Sequence, residues 1–343
     1  MSILITGGAG FIGSHFVRRM VKQGRCVVLL DKLTYAGNLE NLKDITKDSE
    51  ISKQFKFYKG DICNQELVEH ILSNEDIDTI VNFAAETHVD RSILGAGTFI
   101  DTDVKGVFIL LEASRSFKIK KFIQISTDEV YGAAHHVAFE EANPLNPSNP
   151  YSASKAGGDR LAYAYWVTYN LPVIITRASN NYGPYQHPEK FIPLFITNAL
   201  EDKKLPLYGD GKQSRDWIHV EDHCSAIDFL LKNGKDGEVY NIGGGNERCN
   251  IDTAYLILDE LNKPKSLIEY VKDRVGHDRR YALDCTKLIS LGWKPDVKFE
   301  DGIRETVRWY KNTQSWWKPV KNSEFMEYYK KQYNHRFFIK SCS

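Results

Sequence analysis

The sequence lacks a charge imbalance: of its 343 residues, 45 are Lys or Arg and 45 are Asp or Glu. Proteins that bind nucleic acid or an anionic membrane surface carry an excess of basic residues, so neither class is expected. It also lacks an apolar run of about 18 residues, which argues against a transmembrane helix. The start, MSILITGGAG, has no basic region before its apolar stretch and is not typical of a signal peptide or presequence.

Closely spaced metal-ligand and disulfide patterns are also missing. The six cysteines are scattered, without a C-x-x-C pair: Cys26, Cys63, Cys224, Cys249, Cys285 and Cys342. This spacing favours neither a disulfide framework nor a zinc ribbon, and it fits a reducing cytoplasm. His219 and His223 lie four residues apart, but they lack the HExxH order and a third ligand, so we predict no metal site.

What is present is ordinary globular composition, with 42% apolar and 26% charged residues, in a chain long enough for two domains. Short β-branched runs alternate with longer helical patterns in the first half. The predicted strands are Ile3–Thr6, Val27–Asp31, Phe55–Lys59, Thr79–Asn82, Phe122–Ser126 and Val173–Arg177. The predicted helices between them are Gly13–Gln23, Asn64–Ser73, Thr98–Phe117 and Ser152–Tyr169. This alternation predicts an α/β fold with a doubly wound parallel sheet of the Rossmann type.

The second half is less regular and predicts a smaller, mixed C-terminal lobe. A helix from Glu221 to about Leu231 and a strand over Val239–Ile242 are expected to return to the large sheet. The glycines at 243–245 are interpreted as a turn. We therefore predict two domains. The first consists of residues 1–178 together with about residues 217–242, which return to the large sheet, and the second consists of residues 179–216 and 243–330. The tryptophans at 309, 316 and 317 are expected to anchor packing.

The segment from Thr6 to Gly13 (TGGAGFIG) joins the first strand to the first helix. Glycines at positions 7, 10 and 13 permit a tight turn and close approach of a pyrophosphate to the helix N-terminus. Asp31 ends the second strand, where a carboxylate accepts hydrogen bonds from a ribose and repels a 2′-phosphate. The segment therefore predicts a dinucleotide site with NAD favoured over NADP. Further polar clusters follow other strands, at the sheet edge where such folds bind ligands.

Tyr151 and Lys155 lie four residues apart, which places them on one helix face. A nearby ammonium and an oxidised nicotinamide would both lower the pKa of the tyrosine and let it accept a hydroxyl proton. Thr127 supplies a hydroxyl after the fifth strand. A surface Tyr–Lys pair is the alternative, which the neighbouring glycine-rich turn disfavours.

Asp128 and Glu129 add two carboxylates beyond the needs of hydride transfer. Glu129 as an ionised base and Asp128 as a protonated acid could eliminate water beside a ketone, provided that their pKa values differ. Adjacent residues of a straight strand point to opposite faces, so both can reach one substrate only if the chain turns at Thr127–Glu129. The alternative is one catalytic and one solvated acid.

These segments resemble the extended short-chain dehydrogenase/reductase family, and within it the nucleotide-sugar 4,6-dehydratases, over residues 2 to about 333. The similar segments include ILITGGAGFIGSH, FAAETHVDRSI, STDEVYG, NPYSASKAGGD and LYGDGKQSRDWIHVEDH. The Asp-Glu pair is the narrowest of these signals, since sugar epimerases and decarboxylases of similar fold usually lack it. Thr87 and Val275 depart from the residues most frequent in this family, and the segment between Gly132 and Pro150 is shorter than in some relatives.

The resemblance implies dehydration of a nucleotide-activated glucose, dTDP-glucose first, with NAD regenerated in each turnover. Tyr151 would take the O4 proton during oxidation at C4, Glu129 the C5 proton, and Asp128 would protonate the departing C6 hydroxyl. It also implies a homodimer joined by the helices over residues 98–117 and 152–169. UDP-glucose or another nucleotide hexose, a 4-epimerase or decarboxylase, and a non-catalytic NAD-binding sensor are the alternatives that we keep.

The resemblance further implies two sets of binding residues. The cofactor set is Gly7, Gly10, Phe11, Ile12, Gly13, Asp31, Lys32, Leu33, Thr34, Asp61, Ile62, Phe83, Ala84, Ala85, Glu86, Thr87, Thr102, Tyr151, Lys155 and Asn181. The substrate set is Thr87, Thr127, Asn180, Lys190, Phe191, Pro206, Leu207, Tyr208, Arg215, Asn250, Arg274, His277, Asp278, Arg279, Arg280 and Tyr281. Arg215 and Arg274 suit a diphosphate, because a guanidinium matches phosphate oxygens in a fork.

Overall fold

The computed structural model describes residues 2–48 and 51–333, so Cys342 lies outside the described residues. The strands are β1 Ser2–Thr6, β2 Cys26–Asp31, β3 Phe55–Lys59, β4 Ile77–Asn82, β5 Lys121–Thr127, β6 Val173–Ala178, β7 Asn180–Tyr182, β8 Leu205–Tyr208, β9 Ser214–His219, β10 Val239–Ile242, β11 Glu247–Cys249 and β12 Ile268–Val271. The predicted strands therefore exist, most of them one or two residues longer than expected.

The helices begin with α1 Phe11–Lys22, α2 Lys43–Lys47, α3 Gln65–Asn74, α4 Val89–Leu94, α5 Gly97–Ile100, α6 Val107–Ser116 and α7 Pro150–Tyr169. They continue with α8 Phe191–Leu200, α9 Val220–Asn233, α10 Asn250–Glu260, α11 Thr286–Ser290, α12 Phe299–Asn312, α13 Gln314–Val320 and α14 Ser323–Tyr333. A π-helical segment, Asp101–Gly106, joins α5 to α6, so the predicted helix over 98–117 forms with a wider turn inside it. Such π segments occur often at functional sites.

Seven parallel strands form the large sheet in the order β10-β6-β5-β4-β1-β2-β3. This order confirms the predicted Rossmann-type fold, with β10 returning to the edge beside β6. Successive residues of β1 show how both faces are buried: Ile3 and Ile5 join one hydrophobic cluster, whereas Leu4 joins the cluster on the opposite face. All three side chains are fully buried.

The remaining strands form two small sheets, a mixed one ordered β11-β9-β7 and a parallel pair of β12 and β8. They pack with α8, α10 and α12 around a third hydrophobic cluster. Trp317 is fully buried there, and Trp309 and Trp316 pack at its edge, as expected of packing anchors. No helix within the described ranges has the length and apolarity to cross a membrane.

Candidate active site

Two adjoining cavities lie where the strands of the large sheet end. The first, of about 290 Å³, is lined by the loops after β1, β2, β3, β4, β5 and β6. The second, of about 170 Å³, lies between this edge and the smaller lobe. Thr87, Glu129, Asn180 and Lys190 line both cavities, so they mark the junction. A ligand seated across this junction would contact both halves of the molecule.

The glycine-rich turn forms the floor of the first cavity. Gly7 has a φ of +67°, and a Cβ at this position would lie 2.6 Å from the backbone nitrogen of Ala84. A Cβ on Gly13 would lie 2.4 Å from the Gly7 carbonyl oxygen. Helix α1 then begins after Gly10 without a side-chain cap, so its first N–H groups stay available to a phosphate. The cradle fits a dinucleotide pyrophosphate.

Asp31 fixes this turn against the end of β2. Its Oδ2 accepts from the Ala9 N–H at 2.9 Å, and its Oδ1 accepts from the Leu33 N–H at 2.8 Å. Each carboxylate oxygen keeps a further lone pair for a ribose hydroxyl. Burial raises the pKa of Asp31, and the two backbone hydrogen bonds oppose that shift. Lys32 pairs with Asp61 across the same rim, with 2.6 Å between Nζ and Oδ2.

The structure brings the cofactor set together with a single exception. The members of the cofactor set that line the first cavity are Gly7, Gly10, Phe11, Ile12, Gly13, Asp31, Lys32, Thr34, Asp61, Ile62, Phe83, Ala84, Ala85, Glu86, Thr87, Thr102, Tyr151, Lys155 and Asn181. Leu33 is absent from this lining, and its backbone serves instead to hold the Asp31 carboxylate. Thr102 reaches the cavity from the π-helical segment.

The chain turns directly after β5, as two adjacent catalytic acids require. Residues Asp128–Tyr131 form a 3₁₀ turn, and the Thr127 hydroxyl caps it by accepting from the Glu129 N–H at 3.2 Å. The same hydroxyl donates to Asp128 Oδ1 at 3.1 Å. Thr127, Asp128 and Glu129 consequently all line the first cavity, although a straight strand would separate the two acids.

The two acids have different electrostatic surroundings. Burial raises the pKa of Asp128 well above its usual range, and the Glu129 charge adds to that rise. Burial also raises the pKa of Glu129, but Arg274, Arg215 and Lys190 oppose that shift. Asp128 therefore keeps its proton more readily than Glu129 does, which is the division of roles that an acid and a base need. Oδ2 of Asp128 is buried and has no hydrogen-bond partner among the described residues.

Tyr151 and Lys155 both line the first cavity from α7, and both are buried. Burial raises the pKa of Tyr151 well above its usual value, and Glu129 and Asp103 add to the rise, whereas a hydrogen bond with Thr127 lowers it. Lys155 Nζ donates to the Ile125 carbonyl at 2.7 Å. The expected lowering of the tyrosine pKa by Lys155 is therefore not seen, because the lysine donates to the backbone and the charges of Glu129, Asp103 and Asp128 all raise that pKa.

The second cavity carries three cations near the acids. Lys190, Arg215 and Arg274 line it and act on Glu129 by charge. The guanidinium of Arg215 lies 4.3 Å from the ring centroid of Tyr281, and the Arg274 Nε is buried without a hydrogen-bond partner among the described residues. This donor set suits an anion such as a diphosphate.

Most of the substrate set lines this cavity. Its members there are Thr87, Asn180, Lys190, Phe191, Pro206, Leu207, Tyr208, Arg215, Asn250, Arg274, His277 and Tyr281. Thr127 faces the first cavity instead.

Asp278, Arg279 and Arg280 line neither cavity. Asp278 accepts from the Tyr281 hydroxyl at 2.7 Å, so it holds a lining residue. Arg279 and Arg280 pair with Asp210 and Glu247, each at 2.7 Å. We therefore leave these two arginines out of the proposed site.

The structure also places residues at the site that sequence reasoning missed. Glu189 lines both cavities, and His88, His187, Lys190 and Arg91 hold its pKa at about 2 against the effect of burial. The missed members of the second cavity include His88, Asp90, Gln186 and Tyr333. No local pattern marks these residues, because they come from loops and helix ends that meet only in the folded chain.

His219 and His223 each have a hydrogen-bond partner at Nδ1, and their Nε2 atoms are buried without a partner among the described residues. His219 Nδ1 accepts from the Glu221 N–H at the start of α9, at 3.4 Å. His223 Nδ1 lies 2.9 Å from Asn181 Oδ1, and burial lowers the pKa of His223 to about 3. The neutral ring of His223 thus forms part of the wall of the first cavity.

Comparison with known proteins agrees with this geometry. The family model for GDP-mannose 4,6 dehydratase matches residues 4–306. A dTDP-glucose 4,6-dehydratase of Streptomyces niveus is 48% identical over 331 residues, covering 94% of this chain and 97% of that protein.

Two solved structures are also similar over most of the chain. One is DesIV, a dTDP-glucose 4,6-dehydratase from Streptomyces venezuelae crystallised with NAD and TYD, with a TM-score of 0.90, 48% identity, and coverage of 94% and 100% of the two chains. The other is a dTDP-glucose 4,6-dehydratase from Bacillus anthracis in complex with NAD, with a TM-score of 0.87, 52% identity and the same coverage. The chain therefore belongs to the GDP-mannose 4,6-dehydratase family of nucleotide-sugar dehydratases.

Proposed function

We propose that the protein is an NAD-dependent 4,6-dehydratase that converts dTDP-glucose into dTDP-4-keto-6-deoxyglucose. The observation that carries the proposal is the Asp128–Glu129 pair on a turn beside Tyr151, with charges nearby that favour the proton on Asp128 and the ionised form of Glu129. A 4-epimerase needs no such acid and base, because it removes no water. The dTDP-glucose dehydratases among the relatives, at 47–48% identity, further support this reaction.

The first cavity fits NAD in the structure, through the unobstructed glycine turn and the Asp31 carboxylate. When bound, NAD supplies the hydride acceptor for C4 and the hydride donor for C6. Lys155 would hold its nicotinamide end and Asp31 its adenosine ribose, and Thr102 would contact it from the π-helical segment. The carboxylate at position 31 would also repel a 2′-phosphate.

The chain's own residues would supply the proton transfers. With the positive nicotinamide of NAD beside it, Tyr151 would ionise, and its phenolate, oriented by Thr127, would take the proton of the C4 hydroxyl. Once C4 is a ketone, the C5 proton becomes acidic, and Glu129 at the junction of the two cavities would remove it. Asp128 would then give its proton to the departing C6 hydroxyl, which leaves as water. Lys190, Arg215 and Arg274 would bind the diphosphate.

We also propose a homodimer joined through α7 and the helix over residues 97–116. Large apolar side chains are exposed on both helices, including Ile100, Phe108, Tyr163 and Val167. Exposed apolar faces of this kind are typical of protein–protein interfaces. We also propose that the chain divides into a cofactor domain (1–178 with 217–242) and a substrate domain (179–216 with 243–330). A reducing cytoplasmic setting is part of the same proposal, and the five free cysteines among the described residues support it.

Product analysis tests the reaction. The NAD-loaded protein is incubated separately with dTDP-glucose and UDP-glucose, and the products are examined by mass spectrometry and NMR. We expect a product lighter by one water, with a 4-keto group and a C6 methyl, to form faster from dTDP-glucose. An isomer of unchanged mass would identify an epimerase, and faster turnover of UDP-glucose would replace the proposed nucleobase. No turnover of either sugar would contradict the proposal and favour another nucleotide hexose or a binding-only protein.

A further inference from the structure

The segment that follows β2 forms one rim of the first cavity. Its residues that line this cavity are Lys32, Thr34, Ala36 and Gly37. Tyr35 lies in the middle of the segment but is absent from the lining. Its ring instead meets the ring of His187 edge-on, with 5.4 Å between the two centroids. This rim is therefore joined through Tyr35 to the loop that precedes α8.

Arg91 of α4 contacts Tyr35 and a second aromatic ring. Its guanidinium carbon lies over both rings, 3.7 Å from the centroid of Tyr35 and 4.4 Å from the centroid of Tyr328. Both distances are within the range of a cation–π interaction. Because Tyr328 belongs to α14, a single arginine side chain links the rim of the first cavity to that helix.

Arg91 also compensates a buried carboxylate between the two cavities. Its Nε lies 3.1 Å from Oε2 of Glu189, whose side chain is 1% exposed and lines both cavities. The neighbouring histidines add little positive charge at neutral pH, because burial lowers the pKa of His187 and brings that of His88 to about 4. Movement of Arg91 would leave Glu189 with less compensating charge, so this pairing keeps the arginine where it meets both rings.

Helix α14 is in turn held against α4 and the smaller lobe. The Tyr328 hydroxyl lies 3.4 Å from Nδ1 of His88, and the two ring centroids are 5.5 Å apart. Phe325, one turn earlier, is 4% exposed and belongs to the hydrophobic cluster of the smaller lobe. Tyr328 is thus a fixed outer contact for Arg91. We use the name Arg91 clasp for the four residues Tyr35, Arg91, Glu189 and Tyr328.

We propose that Arg91 is a positioning residue that holds the rim over residues 32–37 closed on NAD, with Tyr328 as its outer support. The role rests on the proposed function, in which NAD is reduced and reoxidised within one turnover and has no need to leave. Release of NAD requires the rim to move outwards, and Tyr35 moves with it only by leaving the Arg91 guanidinium. Such a contact would slow an enzyme that exchanges NAD for NADH in every cycle, whereas it does not slow this reaction.

The rate at which NAD leaves the loaded full chain tests the Arg91 clasp. Protein carrying radiolabelled NAD is mixed with a large excess of unlabelled NAD, and the label that stays bound is measured over time by gel filtration. Tyr328→Leu and Tyr35→Leu should each release NAD at least about tenfold faster than wild type, because each removes one cation–π contact of Arg91. Arg91→Lys should do the same, since an ammonium keeps the charge beside Glu189 but has no planar group to stack on two rings.

Tyr255→Leu is the matched control. Lys265 lies over the Tyr255 ring, 4.3 Å from its centroid, so the same kind of contact is lost, but neither residue lines the two cavities. NAD should leave this variant at the wild-type rate. Tyr328→Phe, which keeps the ring, should release NAD within about twofold of the wild-type rate.

A second measurement separates a positioning role from a general loss of structure. Without added NAD, turnover of dTDP-glucose by Tyr328→Leu should fall as the cofactor is lost, and excess NAD should restore it. Damage to the catalytic groups would lower turnover at every NAD concentration. Activity that excess NAD fails to restore would therefore overturn the role of Tyr328.

Wild-type release rates in the folded Tyr328→Leu, Tyr35→Leu and Arg91→Lys proteins would overturn the inference. Turnover of dTDP-glucose by the wild-type protein would in that case leave the proposed function standing. A wild-type protein that retains NAD but turns over neither dTDP-glucose nor UDP-glucose would contradict the proposed function, and the release rates of the variants would still decide the role of the clasp. A wild-type protein that binds no NAD would overturn both.

Discussion

At the scale of single residues, the site depends on a difference between two neighbouring carboxyls. Asp128 and Glu129 are both buried, and burial raises the pKa of each. Arg274, Arg215 and Lys190 oppose the rise of the pKa of Glu129, whereas at Asp128 the charges of Glu129 and Asp216 add to the rise and Arg215 opposes it. Loss of Lys190 and Arg274 would therefore raise the pKa of Glu129 further.

Glu129→Gln should leave NAD bound but stop removal of the C5 proton, because an amide is not a base at neutral pH. We expect turnover of dTDP-glucose to fall by at least about 100-fold, the usual scale for a general base. The measurement is exchange of the C5 hydrogen with solvent deuterium, followed by NMR. Glu66→Gln serves as a control, since Glu66 is an exposed glutamate of α3 that lines neither cavity. Exchange at the wild-type rate in Glu129→Gln would show that another group is the base.

At the scale of elements, α7 depends on its first turn to present Tyr151. Asn149 Oδ1 accepts from the Ser152 N–H at 3.0 Å, and the Ser152 hydroxyl accepts from the Asn149 N–H at 3.2 Å, which completes a reciprocal cap. The Tyr151 N–H donates to the Ser92 hydroxyl at 3.2 Å, so α4 holds the same turn. The backbone of Tyr151 is therefore held by hydrogen bonds within the first turn of α7 and from α4.

Asn149→Ala should lower the free energy of unfolding by about 1 kcal/mol, because it removes the side-chain acceptor from the start of α7. It should also lower kcat, since Tyr151 lies two residues further on. Urea unfolding and steady-state kinetics measure the two effects. Asn149→Asp is the matched control, because it keeps the acceptor and because the Asn149 Nδ2 has no partner among the described residues. Equal loss of stability in both variants would show that the cap is not the cause.

At the scale of the whole molecule, the proposed dimer would cover the apolar side chains on α7 and the helix over residues 97–116. Tyr163 is 41% exposed and Val167 is 60% exposed, four residues apart on one face of α7. Both cavities lie at the carboxyl edge of the sheet, so this helical surface can associate while the site stays open to substrate.

Light scattering after size exclusion should give the wild-type protein a mass of about twice the 39.3 kDa of one chain. Val167→Lys combined with Tyr163→Lys should yield monomers, because two charges would have to be buried in the interface. Ile289→Lys, at an apolar residue 52% exposed on α11, is the control and should stay dimeric. A monomeric wild-type protein, or a dimer that survives both lysines, would contradict the proposed interface.

The sequence by itself determined the elements and the chemistry that is local in the chain. Alternating apolar runs predicted the strands of the large sheet, because parallel strands are buried on both faces. Spacing predicted the glycine turn, the Tyr151–Lys155 pair and the tandem acids, because each lies within one turn or helix. The parallel direction of the strands followed from the repeated strand–helix pattern.

The tertiary structure alone decided how distant groups combine. Whether Asp128 and Glu129 share a cavity depended on the turn after β5, and their unequal pKa values depended on cations from three separate segments. Arg279 and Arg280 pair with Asp210 and Glu247 outside both cavities, although the sequence places them beside Tyr281. Asp90 and Tyr333 line one cavity because α4 and α14 meet in the fold. Burial and charge at a contact between such distant elements depend on packing that no short segment encodes.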